Sequence, residues 1–181
     1  YRARGFDISP AAVAASRERF GVDNAVGSVY DPPGDGAPWD AITSWDVIEH
    51  LADPLQALRC LHERLRPGGW LFLSTPDAGS LIGRLLGRHW HYLDPVQHIT
   101  VFSRRSLRAL LAHAGFEIVA MRSLGHSYRI HYIVDRLAYF HRRGVSAAAL
   151  RAARLLARPL GRRVIYLQLG DVVMVSARRR N

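Results

Sequence analysis

The chain has 181 residues, 49% of them hydrophobic, which suits one domain able to bury its own core. Its formal charge is +10, but all 25 basic residues are arginine, scattered without an aromatic-interleaved basic motif; this reads as a compositional bias of the source, and nucleic acid is not expected as a partner. A single cysteine, Cys60, excludes an internal disulfide; no run approaches the roughly 18 to 20 apolar residues of a membrane span and no signal peptide precedes the first element, so a cytoplasmic address is expected.

Gly5, Phe6 and Asp7 already read as the end of a strand. Ser9 and Pro10 then open a helix as N-cap and first-turn proline, with Val13 and Phe20 as its apolar face and Gly21 as its stop. Ala25 to Val29 reads as a second strand, and the proline- and glycine-rich stretch from Asp31 to Pro38 as a loop. Ala41, Ile42 and Trp45 suit a strand buried on both faces, which emerges at Ser44 and Asp46. Asp53 and Pro54 start a helix whose face carries Leu55, Leu58, Leu61 and Leu65. Pro67, Gly68 and Gly69 stop that helix and turn the chain into a buried strand from Trp70 to Leu73.

Pro76 to Thr100 reads as a long connection, interrupted by a short apolar helix near Leu81 to Leu86. Connections of this length are often functional, and Trp90, Tyr92, His89, His91, Gln97 and His98 make this one a lid or substrate wall. Ser103 caps a helix through Leu107, Leu110 and Leu111, ended by Gly115, and a strand begins at Phe116. Ile130, Ile133, Val134, Leu137 and Phe140 form a helical stripe in Tyr128 to Phe140, read as core, a dimer face or a membrane-surface contact. A further helix is expected from Ser146 to Ala157, then a closing strand from Asp171 to Ala177 and a solvated tail at Arg178 to Arg180.

The chemistry concentrates at Glu49 and His50, just past the strand that ends at Trp45. In an open α/β sheet, ligands bind beyond the carboxyl ends of the strands. A histidine there can take a proton near neutrality, and a carboxylate beside it can orient it. The alternative is structural: Glu49 caps or ion-pairs, and His50 packs at the corner.

WDVIEHLADP, LRPGGWLFLSTP, HWHYLDPVQHITVFS and SLRALLAHAGFEI, in this order, resemble class I S-adenosylmethionine-dependent methyltransferases, closest to the branch of ubiquinone-biosynthesis O-methyltransferases. The resemblance covers residues 3 to about 123 and the last strand. It implies an α/β fold with a Rossmann-like doubly wound sheet, S-adenosyl-L-methionine as cofactor, and methyl transfer to a small-molecule acceptor, by preference at oxygen. Asp7 and Ile8 match the strand end whose acidic residue binds the ribose hydroxyls. Ser28 and Val29 match the adenine contact, although Ser28 stands where an acidic side chain is usual and Asp31 is the substitute. Ser44, Trp45 and Asp46 match the flank of the methionine moiety. His50 and His98 are the base candidates, with Glu49 orienting or, as in some relatives, joining a divalent metal site; no resident metal is expected.

The first strand and glycine-rich loop of that family should precede Asp7 by roughly twenty residues and do not appear. The chain therefore reads as one methyltransferase domain over residues 1–181, truncated at its N-terminal side, with a helical insert over 124–170 and compromised cofactor binding. Two other readings stay open at this point: a nicotinamide-dependent oxidoreductase on a similar sheet, and a non-enzymatic scaffold that binds a partner or membrane through the Ile130 to Phe140 stripe.

Overall fold

A computed structural model describes residues 2–34, 37–94, 96–130, 151–152, 154–155 and 163–180. The elements in chain order are β1 (Gly5–Asp7), α1 (Pro10–Phe20), β2 (Asn24–Val26), β3 (Trp39–Trp45), α2 (Pro54–Arg64), β4 (Leu65–Pro76), α3 (Leu81–Leu86), α4 (Arg104–His113), β5 (Phe116–Ser123), β6 (His126–Arg129), β7 (Val164–Leu167) and β8 (Val172–Arg179). The helix starts follow the side chains expected of them. Ser9, Asp53 and Ser103 each accept from a first-turn N–H, and Pro10 and Pro54 occupy the first turn, where a missing N–H costs nothing.

Four strands form one sheet in the order β3-β4-β8-β5, with β3 and β4 parallel and β8 antiparallel to both its neighbours. On its inner face Ile42, Leu71, Leu73, Val173, Val175 and Ala177 meet Leu58 and Leu61 of α2 and Leu107 and Leu111 of α4, a continuous buried core. β1 and β2 form a separate parallel pair. Among the described residues no strand lies between β1 and β3, which is where the resemblance places a central strand. The Phe6 and Trp39 rings, 6.5 Å apart, and Tyr30, whose hydroxyl accepts from the Asp53 N–H at 3.0 Å, join this pair to the main sheet.

β3 is not covered on both faces. Ile42 is buried, but Ala41 is exposed and Trp45 keeps 49% of its surface. The register puts Ala41, Thr43 and Trp45 on the same face as Trp70 and Phe72, where no helix packs among the described residues. Trp70 and Phe72 stack on each other there at 5.6 Å, and the Arg178 guanidinium lies 4.3 Å from the Trp70 ring, so a cation–π ladder covers part of the apolar surface. Arg178 and Arg179 are thus strand residues rather than a solvated tail, and the Arg179 guanidinium donates to the Leu65 carbonyl.

Other departures are local. Phe20 is 71% exposed, because α1 buries only Val13, and the second strand is three residues long, since the chain turns at Ser28. RPGG lies within β4 rather than ending a helix, with Gly68 at φ 71°. Tyr128 is a strand residue: β6 pairs antiparallel with β7, so the described ends of the 124–170 segment are β rather than helical. Ile130 lies at the border of the described residues, and Ile133, Val134, Leu137 and Phe140 lie outside them; residues 151–152 and 154–155, inside the expected second helix, are helical.

The core carries a pH-sensitive joint. His62 of α2 meets Phe116 edge-on at 5.3 Å beneath Gly115, where a Cβ would come within 2.7 Å of the imidazole Nε2. Burial holds its pKa below the ordinary histidine range, and the Arg179 guanidinium acts in the same direction. The native state therefore binds this proton less readily than the unfolded chain does. Its stabilising effect is complete above the unfolded value of about 6.5 and is lost as pH falls through the lower native value. His62 therefore contributes a loss of stability as pH falls below about 6.5, and His62→Gln is expected to remove that contribution, read as the difference between the two proteins in a pH series of thermal melts.

Candidate active site

The carboxyl ends of β3 and β4 bring the polar residues together. β3 runs into Asp46, the one non-glycine residue at positive φ (52°) among those described. Asp is among the few side chains that tolerate this region, and such backbone is concentrated at functional sites. The turn is held from β4: the Ser74 hydroxyl donates to Asp46 Oδ1 at 2.7 Å, and the Asp46 N–H donates to the Ser74 carbonyl at 3.2 Å. A single 3₁₀ turn, Ile48–His50, follows and points Glu49 inward and His50 outward.

Glu49 is 1% exposed, and its Oε2 accepts from the Thr75 hydroxyl at 3.0 Å. Burial raises its pKa above the usual carboxylate range, with the Asp46 charge adding to the shift, while its own backbone N–H, the Thr75 bond and His50 act against it. One oxygen of Glu49 and one ring nitrogen each from His50 and His98 all lie within 4.8 Å of one another. The His50 and His98 rings are 4.9 Å apart. Burial declines from Glu49 through half-buried His98 to exposed His50, so the group opens toward solvent.

The backbone sets the state of both rings. His50 Nδ1 lies 2.5 Å from the Gln97 carbonyl, and His98 Nδ1 lies 2.6 Å from the Tyr92 carbonyl. A carbonyl only accepts, so each Nδ1 carries the proton and each neutral ring keeps its lone pair on Nε2. Each neutral ring thus keeps one proton acceptor, or one ligand nitrogen, and both rings stand near the Glu49 carboxylate. No metal was expected, yet this donor set suits a divalent cation: two imidazoles with fixed tautomers and one carboxylate, hydrogen-bonded in turn.

An aromatic wall lies behind the histidines. Tyr92 is 5.8 Å from His98, 4.0 Å from His91 and 5.3 Å from Trp90, ring to ring. Burial, and then Tyr128, which hydrogen-bonds to it, push the Tyr92 pKa far above the ordinary phenol value, with Asp171 and Asp46 adding to the shift. Tyr92 therefore stays a neutral phenol. An open hollow of about 410 Å³ lies between the Asp77–Leu81 turn and the start of α4, and no residue of the Tyr92 wall lines it. Its inner cation, Arg104, is neutralised by Asp77 at 2.8 Å.

The residues matched to the cofactor are more dispersed. Asp7 ends β1 and uses Oδ1 to accept from the Ser9 N–H at 2.8 Å, which leaves Oδ2 without a hydrogen bond among the described residues. Ile8 beside it is 77% exposed. The Ser28 hydroxyl accepts from the Tyr30 N–H, and Asp31, which is exposed, forms a backbone bridge with Ser28, its N–H donating to the Ser28 carbonyl at 3.1 Å. Val29 packs against the core, Ser44 is half-buried, and Trp45 lies on the uncovered sheet face. Glu49, His50 and His98 are assembled; no hydrogen bond joins Asp7 to them among the described residues. Thr75 and Asp171 were not singled out from sequence. Their only signal is a polar residue at the border of an apolar strand, Thr75 after Ser74 near the end of β4 and Asp171 just before β8.

Comparison with known proteins identifies the family and the fold. Residues 1–121 match a family described as a methyltransferase domain. A ubiquinone biosynthesis O-methyltransferase of Xanthomonas campestris is 38% identical over 110 residues, which is 49% of this chain and 44% of that protein. A Mycolicibacterium smegmatis protein named "probable S-adenosylmethionine-dependent methyltransferase" is 36% identical over 118 residues, 65% of this chain and 44% of its own length. The crystal structure of a methyltransferase-named protein from Bacillus halodurans shares the fold at TM-score 0.63 and 14% identity, covering 98% of this chain and 83% of that one. The chain spans between 27% and 52% of the length of such curated relatives.

Proposed function

The chain belongs to the class I S-adenosylmethionine-dependent methyltransferases, and from that premise we propose that it is the part of an O-methyltransferase that holds the acceptor and takes its proton. The observation that carries this reading is the Glu49, His50 and His98 group at the carboxyl end of β3, with both ring tautomers set by loop carbonyls. A hydroxyl of a small, ring-bearing acceptor lies against the Tyr92 wall and gives its proton to a histidine Nε2 as its oxygen bonds to the methyl carbon. The sulfonium cofactor, when bound, supplies that methyl carbon already electrophilic, and the C–S bond that breaks leaves a neutral thioether. What the protein adds is alignment, a base and exclusion of water.

The cofactor-facing residues fit in part. The unengaged Oδ2 of Asp7 suits a ribose diol, and Asp31 beside Ser28 suits an adenine amine. Among the described residues no strand pairs between β1 and β3 to offer backbone to the amino-acid end. Residues 1–181 alone are therefore expected to bind S-adenosylmethionine weakly or not at all in calorimetric titration, and low-micromolar affinity would contradict this. In the complete protein Asp7→Ala is expected to weaken binding with little change in turnover of the saturated enzyme. If the Glu49 group holds a divalent cation, a chelator lowers turnover and the added ion restores it; unchanged turnover assigns the proton transfer to the histidines alone.

A further inference from the structure

Among the described residues, the carbonyls that set the two histidine tautomers come from one strap, residues 90–94 and 96–98, which is fastened to the sheet at its start by a residue outside the site. Asp171, the residue before β8, is 5% exposed, and its carbonyl accepts from the Asp77 N–H at 2.8 Å, which fixes it at the end of β4. Its Oδ2 accepts from Trp90 Nε1 over a long 3.4 Å, and His91 Nε2 lies 4.0 Å away. Trp90 is 2% exposed and packs against Gly83 of α3, where a Cβ would meet its ring at 3.4 Å. A buried indole N–H needs an acceptor, and this carboxylate is the one it has.

From Trp90 the stretch folds on itself. The Leu93 N–H donates to the Trp90 carbonyl at 2.9 Å, and the Gln97 and His98 N–H groups donate to the Asp94 carbonyl at 3.1 and 2.8 Å. The Tyr92 and Gln97 carbonyls are thereby aimed at His98 and His50, and the Thr100 N–H closes the far end on the Glu49 carbonyl at 3.0 Å. We infer that Asp171 is a positioning residue: by anchoring Trp90 it holds this strap so that its carbonyls keep His50 and His98 protonated on Nδ1 and leave both Nε2 lone pairs for the acceptor. The functional consequence rests on the proposed reaction; the structural one does not.

The test is long-range ¹H–¹⁵N NMR of the histidine rings in the complete protein, free of divalent metal and above the imidazole titration range, with assignments from His50→Gln and His98→Gln. The wild type is expected to show both Nε2 nitrogens in the unprotonated range. Asp171→Ala is expected to move one or both toward the protonated range, whereas Asp171→Asn, whose amide oxygen still accepts from the indole, keeps the wild-type pattern. Trp90→Phe removes the same bond from the other side and decides the matter if Asp171→Ala does not fold. Wild-type tautomers in Trp90→Phe and in a folded Asp171→Ala would overturn the inference. Absence of methyl transfer would instead count against the proposed reaction and leave the tautomer result standing.

Discussion

Glu49→Gln in the complete protein is expected to lower kcat for methyl transfer by about 10- to 100-fold while the melting temperature at neutral pH stays equal or rises. The two effects come from one property. The carboxylate is 1% exposed, and burial raises its pKa. A native carboxyl with a raised pKa binds its proton more tightly than the unfolded chain does, so stability falls as pH rises from the unfolded value of about 4.3 to the higher native one. Above that window the full cost of a desolvated charge is present. Glutamine removes the charge and keeps an oxygen for the Thr75 hydroxyl, so the fold does not lose. Methyl transfer does lose, because a charge beside His50 and His98 stabilises the imidazolium formed when the acceptor gives up its proton. A fall in both melting temperature and kcat would make Glu49 a structural residue whose loss disturbs the corner. Thermal melts of both proteins from neutral to progressively lower pH separate the cases: the advantage of Gln should shrink as Glu49 becomes protonated.

His50→Gln and His98→Gln are each expected to reduce kcat by about 10²- to 10⁴-fold, with the affinity for S-adenosylmethionine unchanged. The double variant is expected to be little worse than the more damaged single. The rings are 4.9 Å apart and are held by carbonyls of the same strap, so removal of one partner disables the unit. Losses that multiply in the double variant would mean that the two rings act independently, one of them away from the acceptor. Stopped-time assays with saturating cofactor, alongside equilibrium binding, distinguish these outcomes.

Much of the fold is local and was legible in the residues. Ser9, Asp53 and Ser103 mark three helix starts because a short side-chain oxygen satisfies an N–H that has no partner within the helix, and this depends on nothing distant. The Glu49 and His50 corner was legible for a similar reason: a parallel strand that stops at polar residues delivers them to the ligand edge. Burial was less legible, because it depends on what covers a face. Trp45 and Phe20 look like core in any window of sequence, yet both are exposed, one on a sheet face over which no helix lies among the described residues and the other on a helix that buries only Val13. Tyr128 carries a helical apolar pattern into its neighbours but pairs as a strand, since the partner that decides it, β7, lies more than thirty residues away. The histidine tautomers had no sequence signal at all: main-chain carbonyls set them, and every residue has one.

In the proposed function the Glu49, His50 and His98 corner serves the acceptor rather than the cofactor. Its most direct test is transfer of a labelled methyl group from S-adenosylmethionine to a panel of hydroxylated ring compounds by the complete protein, wild type and His98→Gln, with cofactor affinity measured on both. The wild type is expected to label at least one hydroxyl, and His98→Gln to lose that transfer by about 100-fold or more while it binds the cofactor within a factor of about two of wild type. A His98→Gln enzyme that transfers at the wild-type rate, or one that loses cofactor affinity in step with its rate, would contradict the account.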